Sequence, residues 1–154
     1  DVHYELELIV ALKSGGSNIT EAEAYNHIYG FGIGLDMTRR DLQGVCKKMG
    51  RPWEIGKAFE RSAPMGKLTP MSEVGNMEKG NINLPVNGEV RQNGDLDMMI
   101  WKIPDQIAHV SKLYDMSAGD LIMTRTPAGV GPIVKGDKLI GKIGHLETIE
   151  VIVV

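Results

Sequence analysis

The chain has 154 residues, enough for one domain with its own hydrophobic core. Its net charge of −3 provides no basic field of the kind that attracts nucleic acid or an anionic membrane surface. The single cysteine, Cys46, excludes an internal disulfide and favours a reducing, cytoplasmic setting. The given residues show no signal-peptide pattern and no apolar run long enough to span a bilayer. We therefore expect one cytoplasmic domain over residues 1–154 that binds neither nucleic acid nor membrane.

The first half of the chain predicts strands alternating with helices. Polarity alternates along the first segment, as expected for a half-buried strand, and the chain enters it almost directly without an initiator methionine. We therefore expect a short N-terminal segment to be missing. The predicted elements are a strand over 3–13, a helix over 20–29 with a Thr20–Glu23 capping box, a strand over 30–35 and a helix over 38–49. Glycine at 30, 32 and 34 predicts that another segment packs closely on one face of the second strand.

The second half predicts mainly strands. Residues 54–83 are irregular, and so long a non-repetitive stretch in a compact domain is usually functional. Asn87-Gly88 predicts the type I′ turn of a hairpin over 82–92. The remaining predicted elements are a helix over 104–114, a strand over 121–124, a glycine-rich loop over 129–136, and closing strands over 138–143 and 147–154. The balance predicts a β-rich α+β fold.

Three carboxylates are the most informative residues of the chain. Glu5 and Glu7 stand two apart in the first predicted strand, so their side chains share one face. Two adjacent carboxylates repel each other and cost free energy to desolvate. A hard divalent cation would remove both costs, and Asp36, which ends the second predicted strand, could supply a third oxygen ligand. This arrangement would leave coordination positions for a substrate and water.

Each of these residues also has a plain structural interpretation. Glu5 and Glu7 could lie on a solvated strand face, and Asp36 could cap the following helix. Lys57 could be an exposed lysine, and the arginines after Asp36 could form surface ion pairs of little energetic value. The sequence contains no phosphate-binding Gly-x-x-x-x-Gly-Lys motif, no Gly-x-Ser-x-Gly motif and no histidine pair with metal-ligand spacing.

The order in which several motifs occur decides between these interpretations. The motifs are Tyr-Glu-Leu-Glu-Leu, Gly-Leu-Asp-Met-Thr-Arg-Arg-Asp, Gly-Arg-Pro-Trp, Gly-Lys-Ala-Phe, Val-Asn-Gly-Glu-Val-Arg-Gln and Ala-Gly-Asp-Leu-Ile-Met-Thr-Arg-Thr-Pro. Together they resemble the fumarylacetoacetate hydrolase family over essentially the whole chain, and most of all its small bacterial fumarylpyruvate hydrolases and acylpyruvases. The resemblance implies a mixed β-sandwich roll of the family's C-terminal domain type, commonly a homodimer.

The resemblance also implies roles for individual residues. The three carboxylates at 5, 7 and 36 match ligands of one divalent cation, Mg²⁺ or Mn²⁺, with Ca²⁺ as a further option. Lys57 matches a lysine that holds the substrate near the metal and acts in catalysis. Arg40, Gln43 and Thr126 match residues that bind a small keto acid, with Thr126 at its carboxylate.

The implied reaction is hydrolysis of the C–C bond of a 2,4-diketo acid such as fumarylpyruvate, with release of pyruvate. Oxaloacetate decarboxylation and isomerisation of an unsaturated diacid reuse the same enolate chemistry, and a non-catalytic metal-binding or assembly module is the alternative from another class.

Two departures from the family pattern bear on the choice between these functions. The water-activating His and Glu of the family lie N-terminal to the metal strand, and His3 does not occupy that motif. Residue 125 is Arg where the family has Gly, so it could crowd the pocket, point outward or bind a second substrate carboxylate.

Overall fold

The chain folds into eleven strands and four short α-helices, and the computed structural model describes all 154 residues. The strands are β1 (Val2–Tyr4), β2 (Leu6–Leu12), β3 (Ile28–Leu35), β4 (Thr38–Arg39), β5 (Thr69–Pro70), β6 (Asn81–Val86), β7 (Glu89–Asp95), β8 (Leu121–Met123), β9 (Gly131–Pro132), β10 (Lys138–Ile143) and β11 (Ile149–Ile152). The helices are α1 (Arg40–Lys48), α2 (Glu54–Lys57), α3 (Met71–Val74) and α4 (Ile103–Ser111), with 3-10 turns at Ala24–His27 and Leu96–Met98. None of the helices has the length and apolar character needed to cross a membrane.

The strands form three antiparallel sheets. Their strand orders are β4-β1-β9, β11-β10-β6-β7 and β5-β3-β2-β8. The two four-stranded sheets enclose a common core in which Leu6 and Leu8 of one sheet and Leu84 and Leu139 of the other are fully buried. Burial of such side chains is the main force that holds sheets together. The expected β-rich α+β architecture is therefore confirmed.

Strand β2 is the central element of the fold. All seven of its residues are buried, because β3 and β8 pair with its two edges and both of its faces are covered. Leu6, Leu8 and Val10 join the main apolar cluster on one face. Glu7 and Ile9 belong to the opposite face because side chains alternate along a strand. The pattern thus carries an acidic residue into the interior of the protein.

The glycine-rich strand β3 permits the close approach expected from its sequence. Gly30 pairs with Pro70 and Phe31 with Thr69. A Cβ on Gly30 would lie 2.1 Å from the Thr69 carbonyl oxygen, and a Cβ on Gly32 would lie 3.2 Å from the Lys67 carbonyl oxygen. The segment that carries β5 therefore rests directly on the backbone of β3.

Three predicted boundaries in the first half differ from the structure. The strand predicted over 3–13 divides at Glu5, because β1 pairs with β4 and β9 whereas β2 pairs with β3 and β8. The helix predicted over 20–29 is only a 3-10 turn, although Thr20 Oγ1 does donate a 2.6 Å hydrogen bond to Glu23. The helix predicted from residue 38 begins at Arg40, since Thr38 pairs with β1.

The second half follows the sequence pattern more closely. The hairpin of β6 and β7 turns at Asn87 and Gly88, whose φ angles of 52° and 86° fit a type I′ turn. Helix α4 ends at Ser111, three residues before the predicted end. Residues 54–83 hold only short elements, as their irregular sequence indicates.

Replacing Gly30 with Ala tests the contact between β3 and β5. The new methyl group would meet backbone rather than a flexible side chain, so we expect the free energy of unfolding to fall by about 1–3 kcal/mol in urea denaturation. The matched control is Gly44→Ala in α1, where nothing lies within 4 Å of the added atom. There we expect a gain of about 0.5–1 kcal/mol, because alanine is the better helix former. Equal effects at the two sites would contradict this account of β3.

Candidate metal centre

Two adjoining strands bring the three carboxylates together. Glu5 lies at the break between β1 and β2, Glu7 lies within β2, and Asp36 directly follows β3. The pairing of Leu6 with Leu35 aligns the two strands here, and the Asp36 backbone N–H donates to the Glu5 carbonyl at 2.8 Å. One oxygen from each of the three carboxylates lies within 4.8 Å of the others. The structure therefore places the three side chains in one cluster and not on a solvated face.

Two cationic side chains hold this acidic cluster. The Lys57 ammonium, at the end of α2, donates to Glu5 at 2.8 Å and to Asp36 at 2.5 Å. The Arg40 guanidinium donates to the other Glu5 oxygen at 2.6 Å. No ion pair reaches Glu7. Three carboxylates thus share two positive side chains, and the one left without an ion-pair partner is the most buried.

The pKa values reflect this imbalance. Burial is the main cause that raises the pKa of Glu7 to about 8, and the carboxylates of Asp36 and Glu5 raise it further. Burial also raises the pKa of Asp36, and its contact with Lys57 offsets this only in part. For Glu5, burial is outweighed by the hydrogen bonds from Lys57 and Arg40, so its pKa is lowered. The Lys57 ammonium is favoured by the two carboxylates it contacts despite burial, and its pKa is raised.

The donor set fits a hard divalent cation. All three groups offer carboxylate oxygens, the ligands that Mg²⁺, Mn²⁺ and Ca²⁺ prefer, and neither histidine nor thiolate takes part. Glu7 is only 5% exposed and has no ion-pair partner, so its ionised form is costly as the cluster stands. A divalent cation would supply the missing positive charge.

The predicted substrate residues occupy two places. Gln43 is buried beside the cluster and accepts a 2.9 Å hydrogen bond from Arg40. Thr126 lies elsewhere, on the loop after β8, where its hydroxyl accepts a 2.7 Å hydrogen bond from Gln92. It also lines a cavity of about 250 Å³ bounded by β7 and residues 96–100. The structure therefore joins Arg40, Gln43 and Lys57 to the carboxylates and sets Thr126 at a neighbouring cavity.

Two residues that support the site were not singled out from the sequence. Thr38, fully buried, accepts a 2.7 Å hydrogen bond from the Lys57 ammonium and so fixes its position. Gln92, also fully buried, accepts from the Leu6 backbone N–H at 3.0 Å and donates to Thr126 and to the Pro127 carbonyl. Both stand inside motifs that carry the family resemblance, which was the available signal.

The residue at each departure from the family pattern has a defined place. His3 Nε2 lies 3.1 Å from an Asp1 carboxylate oxygen, and its Nδ1 is buried without a hydrogen-bond partner. His3 makes no hydrogen bond to the acidic cluster. Arg125 adopts a φ of 146°, a conformation that favours glycine, and lines the cavity beside Thr126.

Comparison with known proteins agrees with the motifs. Residues 1–152 match the family model described as fumarylacetoacetate (FAA) hydrolase C-terminal. The chain belongs to the fumarylacetoacetate hydrolase family. It is 44% identical over 151 residues to a fumarylpyruvate hydrolase of a Ralstonia species, covering 98% of this chain and 78% of that protein. It is also 44% identical over 139 residues to the oxaloacetate tautomerase YcgM of Escherichia coli, covering 90% of this chain and 64% of that protein.

A solved structure shares the fold almost completely. The crystal structure of fumarylpyruvate hydrolase from Pseudomonas aeruginosa, in complex with Mn²⁺ and pyruvate, superposes with a TM-score of 0.97 at 46% identity. The match covers 99% of this chain and 66% of that one. The chain thus spans about two thirds of the length of the tautomerase and of the crystallised hydrolase. These relatives are enzymes, and this membership confirms the resemblance inferred from the motifs.

The raised pKa of Glu7 predicts how the stability of the metal-free protein depends on pH. Its pKa is 4.5 in the unfolded chain and about 8 in the folded one, so between these values only the unfolded state has lost the proton. The free energy of unfolding should then fall as pH rises through this window, by up to about 1.4 kcal/mol per pH unit.

Urea denaturation of the chelator-treated protein across that window measures the slope. Glu7→Gln keeps the shape without the charge, so it should flatten the slope and stabilise the metal-free protein at pH 8. An exposed control, Glu147→Gln, should change neither. A wild-type stability that rises between pH 5 and pH 8 would contradict the assigned origin of the shift.

Proposed function

We propose that the chain is the catalytic domain of a metal-dependent hydrolase that cleaves the C–C bond of a 2,4-diketo acid, an acylpyruvate such as fumarylpyruvate, and releases pyruvate. The observation that carries the proposal is the convergence of Glu5, Glu7 and Asp36, with Lys57 bound to two of them. The Ralstonia relative and the Mn²⁺–pyruvate complex of the Pseudomonas enzyme support it. We propose a single domain over residues 1–154.

Within this proposal the three carboxylates hold Mg²⁺ or Mn²⁺, and Ca²⁺ suits the same oxygen donors. The bound cation supplies Lewis-acid polarisation of the oxygens of the keto acid. The charges also match the substrate. Three carboxylates, two cationic side chains and one divalent ion leave a net positive site for an anionic keto acid.

The residues of this chain then bind the substrate and stabilise its developing charge. Lys57 remains an ammonium because its pKa is raised, and in this proposal it stabilises the negative charge that grows as the C–C bond breaks and pyruvate leaves as its enolate. Arg40 and Gln43 bind the substrate on the side of the metal site where Lys57 lies, and Thr126 binds it from the loop after β8. Water adds its oxygen to the acyl carbon, and its proton replaces the lost bond on the methyl carbon of pyruvate.

A second candidate uses the same enolate without hydrolysis. The Escherichia coli relative, 44% identical, is an oxaloacetate tautomerase, and tautomerisation needs only a proton moved between carbon and oxygen of a bound keto acid. Oxaloacetate decarboxylation proceeds through the same enolate and also needs no attacking water. These activities are alternatives at one site and differ in the substrate and product observed.

We also propose a homodimer. The family resemblance favours it, and three apolar residues close together in the chain, Met98, Ile100 and Trp101, are 74%, 75% and 50% exposed. Sedimentation equilibrium measures the state directly, and a monomer at micromolar concentration would contradict this part of the proposal.

Metal loading tests the function. With Mn²⁺ or Mg²⁺ the protein should release pyruvate from fumarylpyruvate, and a chelator should abolish the reaction. Asp36→Asn removes one charged ligand, so calorimetry should show Mn²⁺ affinity reduced by about 100-fold or more. Asp41→Asn, an exposed acidic residue on α1, serves as the control and should bind Mn²⁺ normally.

The outcomes separate the candidates. Turnover of oxaloacetate without pyruvate release from fumarylpyruvate would select the tautomerase or decarboxylase activity. Mn²⁺ binding without turnover of either acid would leave the non-catalytic metal-binding module.

Lys57→Met tests the role of the ammonium. Loss of a positive charge aimed at the developing enolate should lower kcat by roughly 100- to 1,000-fold, about 3–4 kcal/mol of barrier. Mn²⁺ affinity should stay the same or rise, because a competing cation leaves Glu5 and Asp36. Lys48→Met, exposed at the end of α1, is the control. An unchanged kcat in Lys57→Met would remove this residue from the mechanism.

A further inference from the structure

Arg125 stands opposite the most buried carboxylate of the site. Strands β2 and β8 pair Ile9 with Met123, and beyond that pair the Thr124 N–H and hydroxyl both donate to the Leu8 carbonyl at 3.1 Å. Continuing the same antiparallel alignment by one residue sets the backbone of Arg125 beside Glu7. Arg125 thus lies beside the acidic cluster and is the first residue of the loop that carries Thr126.

The backbone of Arg125 is strained, and its exposed side chain gains no buried packing that would offset the strain. Its φ of 146° is one that side chains rarely adopt, and it costs conformational free energy that glycine would not incur. The guanidinium is exposed and takes part in none of the ion pairs of the chain, whereas those of Arg40 and Arg91 pair with Glu5 and Glu89. Arg61 is likewise exposed, without an ion pair and at a positive φ, so the feature that distinguishes Arg125 is its position beside Glu7 and at the wall of a cavity.

Arg125 lines a cavity. Its volume is about 250 Å³, and Arg125 and Thr126 form one wall while Met98, Met99 and Ile100 contribute apolar surface. A second cavity of about 240 Å³ shares Met99, Ile100 and Arg125 with it. Arg125 therefore lines two cavities and begins the loop that continues from the acidic cluster.

The one carboxylate that lines the larger cavity is already engaged. Asp95 accepts hydrogen bonds from the backbone N–H groups of Gly80 at 2.9 Å and of Asp97 at 3.0 Å. Arg125 has five N–H donors in a planar fork, so it can bind a carboxylate through two parallel hydrogen bonds. The apolar wall suits a short carbon chain that leads to such a group.

We propose that Arg125 is a specificity-determining residue that binds a carboxylate at the far end of the acyl group, so that the protein prefers dicarboxylic acylpyruvates over those whose acyl group ends in a neutral methyl. This rests on the proposed function, since the pyruvate half of the substrate has to occupy the metal centre. The acyl half then extends along the cavity wall from the acidic cluster toward the guanidinium.

The test compares two substrates and three variants. Fumarylpyruvate carries a terminal carboxylate and acetylpyruvate does not. In Arg125→Gly with Mn²⁺, kcat/KM for fumarylpyruvate should fall roughly 10- to 100-fold, mainly through KM, whereas that for acetylpyruvate should stay within about threefold. Arg125→Lys keeps a charge without the fork and should give an intermediate ratio.

A matched control separates charge from backbone effects. Arg61→Gly also replaces an exposed arginine at a positive φ, here 61°. It should leave the ratio of kcat/KM for fumarylpyruvate to kcat/KM for acetylpyruvate unchanged. Because glycine relieves the strain, the Tm of Arg125→Gly should be no lower than that of the wild type. If that variant does not fold, the ratio in Arg125→Lys decides.

The results distinguish the two proposals. A wild type that turns over both substrates, with the same ratio in Arg125→Gly and Arg125→Lys, would overturn the role of Arg125 and leave the proposed function intact. A wild type that cleaves neither acid would overturn the proposed function and this inference with it.

Discussion

Repulsion among three carboxylates in a confined and largely buried space is the constraint on which the structure depends. Like charges that share a site oppose one another's ionisation, and burial increases the cost. Lys57 and Arg40 relieve Glu5 and Asp36, whereas Glu7 has no such partner. The fold therefore keeps one buried carboxylate, that of Glu7, without a compensating positive charge. Buried groups with perturbed pKa values of this kind cluster at sites of binding or catalysis.

The architecture explains how so unfavourable a cluster is tolerated. Strand β2 is paired on both edges and buried on both faces, so apolar burial along its length anchors Glu7. The interruption at Glu5 lets the chain pass from one sheet to another and turns that side chain toward Asp36. The free energy gained from core packing thus offsets the cost of holding the acids together.

Local sequence patterns predicted the parts of the fold that local physics controls. The two-residue spacing of Glu5 and Glu7 was enough to assign them to one side of a strand, and Asn87-Gly88 was enough to locate a hairpin. The helix expected from Thr20 shrank to a 3-10 turn even though its capping contact forms, because a cap satisfies only the first backbone groups and a helix also needs tertiary packing.

Long-range contacts within the site were beyond the reach of such patterns. Thr38 reads as the start of a helix, but it pairs with β1 and accepts from Lys57, and both partners are distant in sequence. Gln92 reads as one polar residue of a hairpin strand, yet it contacts Leu6 and Thr126. No periodicity within a short window encodes contacts that span 86 and 34 positions.

The amide of Gln92 has a consequence for how this scaffold can diversify. One buried side chain connects the backbone at the start of strand β2 to the loop at residues 126–127 through direct hydrogen bonds. Side chains on that loop can be exchanged during evolution while this tie keeps the loop in register. Loss of the amide would instead leave the buried Leu6 N–H without a hydrogen-bond partner and would also free the loop at residues 126–127. The packing of the interior and the selectivity of the cavity on that loop therefore depend on the same side chain.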